Sequence, residues 1–216
     1  MADPRTRVAL IDDLAVVRSG FAITHPGLDV IDTFADTETF LRNPPDVDVV
    51  LVDLKLATGA AAGVQQARPA IRSLAAAGHV VCIYTEETRD PVLALCLRAG
   101  AQGITHKYDP PTLTTQNVDR VAAGGFVISS SLVGVAELLQ RHGKLPDITD
   151  KQRQVLRLRA RGIGWSDIAD QLYIGVAAAH DRMNAVNEKF ARYLQSATPA
   201  DIEREFGLGT GDLLDD

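Results

Sequence analysis

Apolar residues fall in short unbroken runs through the first half of the chain and at helical spacing through the second. Residues 8–11, 30–34, 47–52, 79–84 and 103–105 are rich in Val and Ile and mostly continuous, which predicts strands buried on both faces. Between them, residues 15–22, 37–41, 63–77, 91–99 and 112–123 have the length and composition of crossover helices. Five strands alternating with five helices predict a parallel, doubly wound α/β domain over residues 1–125. Its site belongs at the carboxyl ends of the strands.

After Gly124 and Gly125 the character changes, and no further strand-like run follows. Residues 126–139 continue into a polar stretch punctuated by Gly143 and Pro146, so residues 126–147 read as a helix and a linker. Thr149 caps a helix over 150–161, and Gly162 closes it. Residues 166–172 form a second helix, a turn follows at Gly175, and residues 176–194 form a third. Thr198, Pro199 and Asp201 open a fourth with an N-cap, a Pro at the first helical position and an acid three residues after the cap. Val155, Leu156, Leu158, Ile168, Ala169, Leu172 and Ile174 are spaced to build a small core, with Val186 and Phe190 seating the third helix on it. The reading is an all-α four-helix domain over 148–207 and a Gly-rich, acidic tail over 208–216.

With 216 residues, 46% of them apolar and 23% charged, the chain is long enough to bury a core in each domain, which excludes chain-wide disorder. The apolar runs at 49–52 and 121–129 fall far short of the roughly 20 residues a bilayer span needs. The apolar run that follows Arg5 and Arg7 is broken by Asp12 and Asp13, unlike a signal peptide, so a cytoplasmic protein is expected, with no membrane partner. Cys82 and Cys96 lie in apolar stretches and read as buried free thiols. There is no Walker loop, no Gly-x-Gly-x-x-Gly and no catalytic triad, and His142 and His180 lack metal-ligand spacing.

A net charge of -6 argues at first against nucleic acid, whose phosphates need Lys and Arg. The charges are segregated, however. From Ile148 to Leu194 there are eight Lys and Arg against five acids, whereas from Gln195 onward one Arg faces six acids. A modestly basic helical module therefore survives between an acidic first domain and an acidic tail that would compete with DNA.

Acids also gather where the first domain should carry its site. Asp12 and Asp13 end the first strand, Asp53 ends the third, Thr85 ends the fourth and Lys107 follows the fifth. Each residue alone reads as a solvated strand-end group or a helix cap. Together they read as carboxylates that a hard divalent cation such as Mg²⁺ relieves, with one carboxylate able to act as nucleophile toward a phosphoryl group.

The stretches Val8-Ala9-Leu10-Ile11-Asp12-Asp13, Leu51-Val52-Asp53-Leu54-Lys55-Leu56, Ile83-Tyr84-Thr85 and Gly100-Ala101-Gln102-Gly103-Ile104-Thr105-His106-Lys107 resemble the receiver domain of two-component response regulators, a five-stranded flavodoxin-like fold. The resemblance implies that Asp53 is the phosphoacceptor. It further implies that Asp12, Asp13, Asp53 and the carbonyl of Lys55 hold Mg²⁺, and that Thr85 and Lys107 contact the phosphoryl oxygens. Three positions depart from the family pattern. Glu86 replaces a small residue, Ile104 replaces the aromatic switch residue, and Ala57, opening the loop through Thr58 to Gly63, replaces the usual Pro.

Residues 148–162 and 166–174 resemble the first two helices and the turn of a LuxR-type helix-turn-helix, and the Ala122-Ala123-Gly124-Gly125 junction is similar to that of the NarL/FixJ subfamily. The resemblance implies a third, recognition helix whose outward face carries His180, Asp181 and Asn184, with Arg182 beside the DNA backbone and Asn187 a further candidate. The family's Thr-Val-Lys is here Ala178-Ala179-His180, and Asp181 puts an acid where phosphates are near. Lys151, Arg153, Arg157, Arg159 and Arg161 read either as a solvated helix face laced with ion pairs or as phosphate contacts. Trp165 reads as a hydrophobic anchor. Ile202 and Phe206 read either as a dimer contact or as packing within their own domain.

The resemblance implies a DNA-binding transcription regulator, not an enzyme. It would act on double-stranded promoter DNA as a homodimer, under aspartyl phosphorylation by a histidine kinase or under an atypical signal. The alternative is a receiver-based protein-interaction or ligand-sensing regulator whose helical module does not bind DNA.

Overall fold

The computed structural model describes residues 5–55, 64–145 and 147–207. The chain divides into two compact units, with the boundary between Val127 and Ile128. Ala57, the rest of the loop through Gly63, and the acidic tail at 208–216 lie outside the described residues.

The first unit holds β1 (Arg7–Ile11), α1 (Ala15–Thr24), β2 (Asp29–Phe34), α2 (Thr37–Arg42), β3 (Val49–Val52), α3 (Val64–Ala76), β4 (Val81–Thr85), α4 (Asp90–Arg98), β5 (Gly103–His106) and α5 (Pro111–Ala122). All strand pairs are parallel and the sheet order is β2-β1-β3-β4-β5. Every residue of β3 and β4 is buried, as is Val8 to Ile11 in β1, because parallel strands are covered by helices on both faces. That double burial is why the runs are continuously apolar. On one face Val8, Leu10, Leu51, Cys82 and Tyr84 meet Phe21 of α1 and Val118 and Val121 of α5. Cys82 and Cys96 are buried free thiols, and burial alone pushes the Cys82 thiol up to about 12.

Val127, placed by the sequence in a helix and linker, instead closes the free edge of β5. Its N–H donates to Gln102 O at 3.0 Å, and its carbonyl accepts from Ile104 N at 3.0 Å. An edge strand leaves backbone groups unpaired, and this segment satisfies two of them. The helix α6 (Ser130–Arg141) therefore starts later than the apolar run suggests, capped by the Ser129 hydroxyl accepting from Leu132 N.

The second unit contains α6, α7 (Asp150–Ala160), α8 (Trp165–Leu172), α9 (Val176–Ser196) and α10 (Pro199–Glu205). The segment read as separate from the helical domain contributes to it, because α6 packs on α7 and its Leu132, Ala136 and Leu139 are buried. Both α7 and α8 pack against α9. Thr149 and Gln152 form a capping box at the start of α7, and Thr198 and Asp201 form another at α10. Val155, Leu156, Ile168, Ala169, Val186 and Phe190 are buried, while Leu158, Leu172 and Ile174 are half-buried at the rim. Ile202 is buried within this unit, and Phe206 is half-buried.

Gly103 opens β5 where there is no room for a side chain. A Cβ there would stand 2.5 Å from Val121 Cγ2 and 2.9 Å from Cys82 Sγ, both in the packed core. Overpacking of this kind costs about 1–3 kcal/mol. Gly103→Ala is therefore expected to lower the thermal midpoint of the first unit by several degrees, measured by differential scanning calorimetry.

Candidate functional site

The parallel register sets the ends of β1, β3, β4 and β5 side by side. Ile11 pairs with Val52, so Asp12 and Asp53, the next residue of each strand, emerge together; Asp53 N donates to Ile11 O at 2.9 Å. Thr85 pairs with His106, and Lys107 N donates to Thr85 O at 2.9 Å. Five residues spread over the 96 positions from Asp12 to Lys107 thus meet at one edge.

Asp12 and Asp53 are buried, and Asp13 is half-buried. The three offer carboxylate oxygens that lie within 4.8 Å of one another. The Lys107 ammonium bridges two of them, 2.7 Å from Asp12 Oδ2 and 2.9 Å from Asp53 Oδ2. Burial holds the Asp12 carboxyl above the usual range, even though the ammonium and the N–H of Leu14 pull it down. Burial likewise works against the charge of Lys107, but its hydrogen bonds to Asp12 and Asp53 outweigh it and raise the ammonium's pKa. Asp53 Oδ1 accepts from Leu54 N at 2.8 Å. One ammonium against three carboxylates leaves a net negative, oxygen-rich cluster. That donor chemistry suits a hard divalent cation.

Two supporting groups carry no signal in the sequence. Arg18, in the second turn of α1, donates to the carbonyls of Asp12 at 2.6 Å and Asp13 at 2.9 Å, tying down the turn on which both acids sit. Glu87 is buried; its carboxylate accepts from Thr88 N, Arg89 N and the Arg89 guanidinium, while its own N–H donates to Thr85 Oγ1 at 3.1 Å. This folds the loop after β4 around Thr85, which is fully buried.

The atypical positions are also placed. Glu86 is exposed and lies 3.5 Å from Lys55 Nζ, so the two join the loops after β4 and β3 through an ion pair. Ile104 is buried in β5 opposite Ile83, as part of the sheet's apolar interior.

In the second unit the basic residues sort into two groups. Arg153 pairs with Asp150 at 2.6 Å, and Arg159 donates to Ile163 O at 2.7 Å with its guanidinium 4.4 Å from the Trp165 ring. These two are committed inside the module. Lys151 and Arg157 on α7, and Arg161 at its C-cap, are exposed, with no ion pair among the described residues. On α9, Asp181 is exposed, and Arg182 and Asn184 are half-buried. Two candidates are placed differently from the sequence expectation. His180 packs at a tilt on Trp165, ring centroids 3.9 Å apart and planes at 32°, so the ring lies against α8 rather than standing free. Asn187 is buried against the module core, because it falls on the face of α9 that carries Phe190 and Ala191.

No family model matches the chain. Curated relatives do. The transcriptional regulatory protein UhpA of Escherichia coli is 26% identical over 187 residues, spanning 84% of this chain and 90% of UhpA. A nitrate/nitrite response regulator homolog of Haemophilus influenzae is 24% identical over 79% of this chain and 83% of its own length. The DNA-binding transcriptional activator DevR/DosR of Mycobacterium tuberculosis is 27% identical over 78% of this chain and 80% of its own length. Among solved structures, RcsB in a complex of two dimers bound to two parallel DNAs superposes with a TM-score of 0.51 at 20% identity, over 90% of this chain and all of that one. The Salmonella typhimurium RcsB response regulator gives 0.50 at 19% identity, over 94% of this chain and 98% of its own. Fold and relatives define the class, a receiver joined to a helical helix-turn-helix domain. Over most of its length the chain is thus similar to the UhpA and nitrate/nitrite response regulators.

The Glu87 carboxyl is pulled from its ordinary 4.5 to about 2, chiefly by the Arg89 guanidinium hydrogen bond. A depressed acid stabilises the fold above its unfolded pKa, and that contribution is lost as pH falls through the folded value. Glu87→Gln is therefore expected to lower the thermal midpoint at neutral pH. The gap from wild type should close as pH falls from 4.5 to about 2, read from melts across a pH series.

Proposed function

We propose that this protein is a DNA-binding transcription regulator controlled by phosphorylation of Asp53 in its receiver. The observation that carries the reading is the Lys107 ammonium held between Asp12 and Asp53 at the carboxyl edge of the sheet. Asp53 attacks the phosphorus of a phosphodonor such as the phosphohistidine of a histidine kinase. A P–O bond forms, the P–N bond breaks, and the released imidazole takes up a proton. Lys107, already beside Asp53 Oδ2, offsets the charge on the phosphoryl oxygens, and the Thr85 hydroxyl, held by the Glu87 loop, hydrogen-bonds to them.

Asp12, Asp13, Asp53 and the Lys55 carbonyl would hold Mg²⁺, which neutralises charge between carboxylates and phosphoryl group when bound. The Lys55 and Glu86 pair lies between the two loops that a donor must approach, and Glu86 adds an acid there. With Ile104 in place of an aromatic switch, the response to phosphorylation runs through a different packing change. The protein acts as a regulator rather than an enzyme of metabolism.

The module of α7, α8 and α9 presents α9 to a major groove, with Lys151 and Arg182 at phosphates and Asp181 and Asn184 toward base edges. His180 stays against Trp165 at the groove's margin. The relatives named above support this reading: DevR/DosR is a DNA-binding transcriptional activator, and RcsB was solved as dimers on DNA. A homodimer would set two half-sites about one helical turn apart, roughly 34–36 Å. Work at promoters places the protein with the chromosome in the cytoplasm; no helix among the described residues is long and apolar enough to cross a membrane. The exposed acid Asp181 on α9 favours the second reading, a regulator whose helical module docks on protein instead.

Two measurements test these assignments. A small phosphodonor with Mg²⁺ is expected to add one phosphoryl group to wild type and none to Asp53→Ala, read by intact mass; equal modification of both removes Asp53 as acceptor. Arg182→Gln is expected to weaken DNA binding evenly across sequences and to flatten the slope of log affinity against log salt by about one unit. Binding that is absent or insensitive to salt in folded wild-type protein would exclude the DNA reading in favour of protein docking.

A further inference from the structure

We propose that the helical unit carries a binding site for a small phosphate monoester, in a cleft between the C-terminal half of α9 and the connection from α6 to α7. The inference goes beyond the DNA reading and does not depend on it.

Lys189, Arg192 and Tyr193 stand at i, i+3 and i+4, so they share one stripe of α9. It is a different stripe from that of Val186, Phe190 and Leu194, which is buried in the module. Lys144, Leu145 and Ile148, from the connection between α6 and α7, join them in lining a cleft of about 220 Å³. Leu145 and Ile148 are buried and Tyr193 is half-buried, so the lining has an apolar part beside its charges.

The cations of the cleft are poorly compensated. The Lys189 ammonium donates to two neutral acceptors, the Asp147 carbonyl and Gln152 Oε1, the latter at 2.9 Å, and makes no ion pair among the described residues. An ammonium has three N–H donors, so one is left for a ligand. Burying half of a charge without a counter-ion is costly, and an anion in the cleft would offset that cost. Arg192 is exposed and makes no hydrogen bond or ion pair among the described residues. Lys144 is also exposed, and its ammonium meets Glu205 at 3.5 Å, a loose surface pair that a multiply charged anion can displace. With the exposed Asp147 side chain counted, three cations face two carboxylates.

Three cations converging from two chain segments suit a group with several acceptor oxygens and more than one charge. A phosphoryl group has three such oxygens and nearly two charges at neutral pH, whereas a carboxylate has two oxygens and one charge. Size limits the rest of the ligand. The cleft is smaller than the roughly 300–1,000 Å³ of sites for drug-sized molecules, so the ester body is no larger than a sugar, set against Leu145, Ile148 and Tyr193. A DNA phosphate does not account for the cleft. Arg192 lies about 24 Å along α9 from Val176, the end that the DNA reading places in the groove.

The test titrates ribose 5-phosphate, inorganic phosphate and ribose into the full-length protein without Mg²⁺, read by isothermal titration calorimetry. Ribose 5-phosphate is expected to bind at one site, more tightly than inorganic phosphate, and ribose not at all. Arg192→Gln, at an exposed position, should leave the thermal midpoint of the free protein unchanged and weaken ribose 5-phosphate about tenfold, the ratio for one lost hydrogen bond to a charged group. Lys144→Gln, from the other segment of the lining, should weaken it likewise. Equal affinity for ribose 5-phosphate and inorganic phosphate, or binding that both variants retain at full strength, marks an adventitious ion only and overturns the inference, as does absence of ribose 5-phosphate binding. Arg192→Gln should also leave the slope of log DNA affinity against log salt as in wild type. A slope flattened by about one unit would assign the cleft to a DNA phosphate, overturning this inference and leaving the DNA reading intact.

Discussion

Two carboxylates buried at the end of a parallel sheet, Asp12 and Asp53, are the constraint around which the first unit is arranged, and the Lys107 ammonium between them makes the arrangement tolerable. Removing a charge from water is expensive, and an acid pair at short range adds repulsion to that cost. The ammonium answers part of both, and burial still holds Asp12 above its ordinary range. Parallel register is what brings the three residues together, since each leaves its strand at the same end. Arg18 and Glu87 serve the same cluster indirectly. One anchors the turn that carries Asp12 and Asp13, and the other anchors the loop that carries Thr85. An under-neutralised cluster of this kind has the donor chemistry that suits a hard cation.

The second unit is governed by burial instead of charge. Phe190, Val186 and Met183 on one side of α9 meet the apolar faces of α7 and α8, and that packing determines which residues remain outside. The cations of α7 and its C-cap divide accordingly. Arg159 lies over Trp165 and Arg153 folds back on Asp150, where they hold the module together, whereas Lys151, Arg157 and Arg161 face water. Charge counted along the chain could not make that division. The ion pair of Lys55 with Glu86 follows the same rule in the first unit: its members are adjacent only because β3 and β4 pair.

Much of the fold is legible in the residue pattern because each element advertises its burial locally. Continuous runs of Val and Ile mark strands covered on both faces, and Thr149 marks a helix start. The convergence of Asp12, Asp13 and Asp53 at one edge was legible as well, since strand ends are where doubly wound sheets gather polar groups. Boundaries were less so. The run from Phe126 is apolar for two reasons at once: Val127 pairs with the edge of β5, while Leu132, Ala136 and Leu139 turn toward α7. No single periodicity separates an edge bridge from the helix that follows it.

The sequence by itself determined the order of strands and helices, the caps that start α7 and α10, and the residue types available to each site. These depend on spacing and on interactions within a turn or two. Only the tertiary structure decided that the Glu87 loop holds Thr85, that Arg18 clamps the acidic turn, that His180 is committed to Trp165 and that Asn187 is buried. Each of these depends on which groups meet across elements distant in the chain, or on which side of a helix the core happens to lie. A polar side chain looks the same in the sequence whether it faces a neighbour or the solvent, and packing alone distinguishes the two.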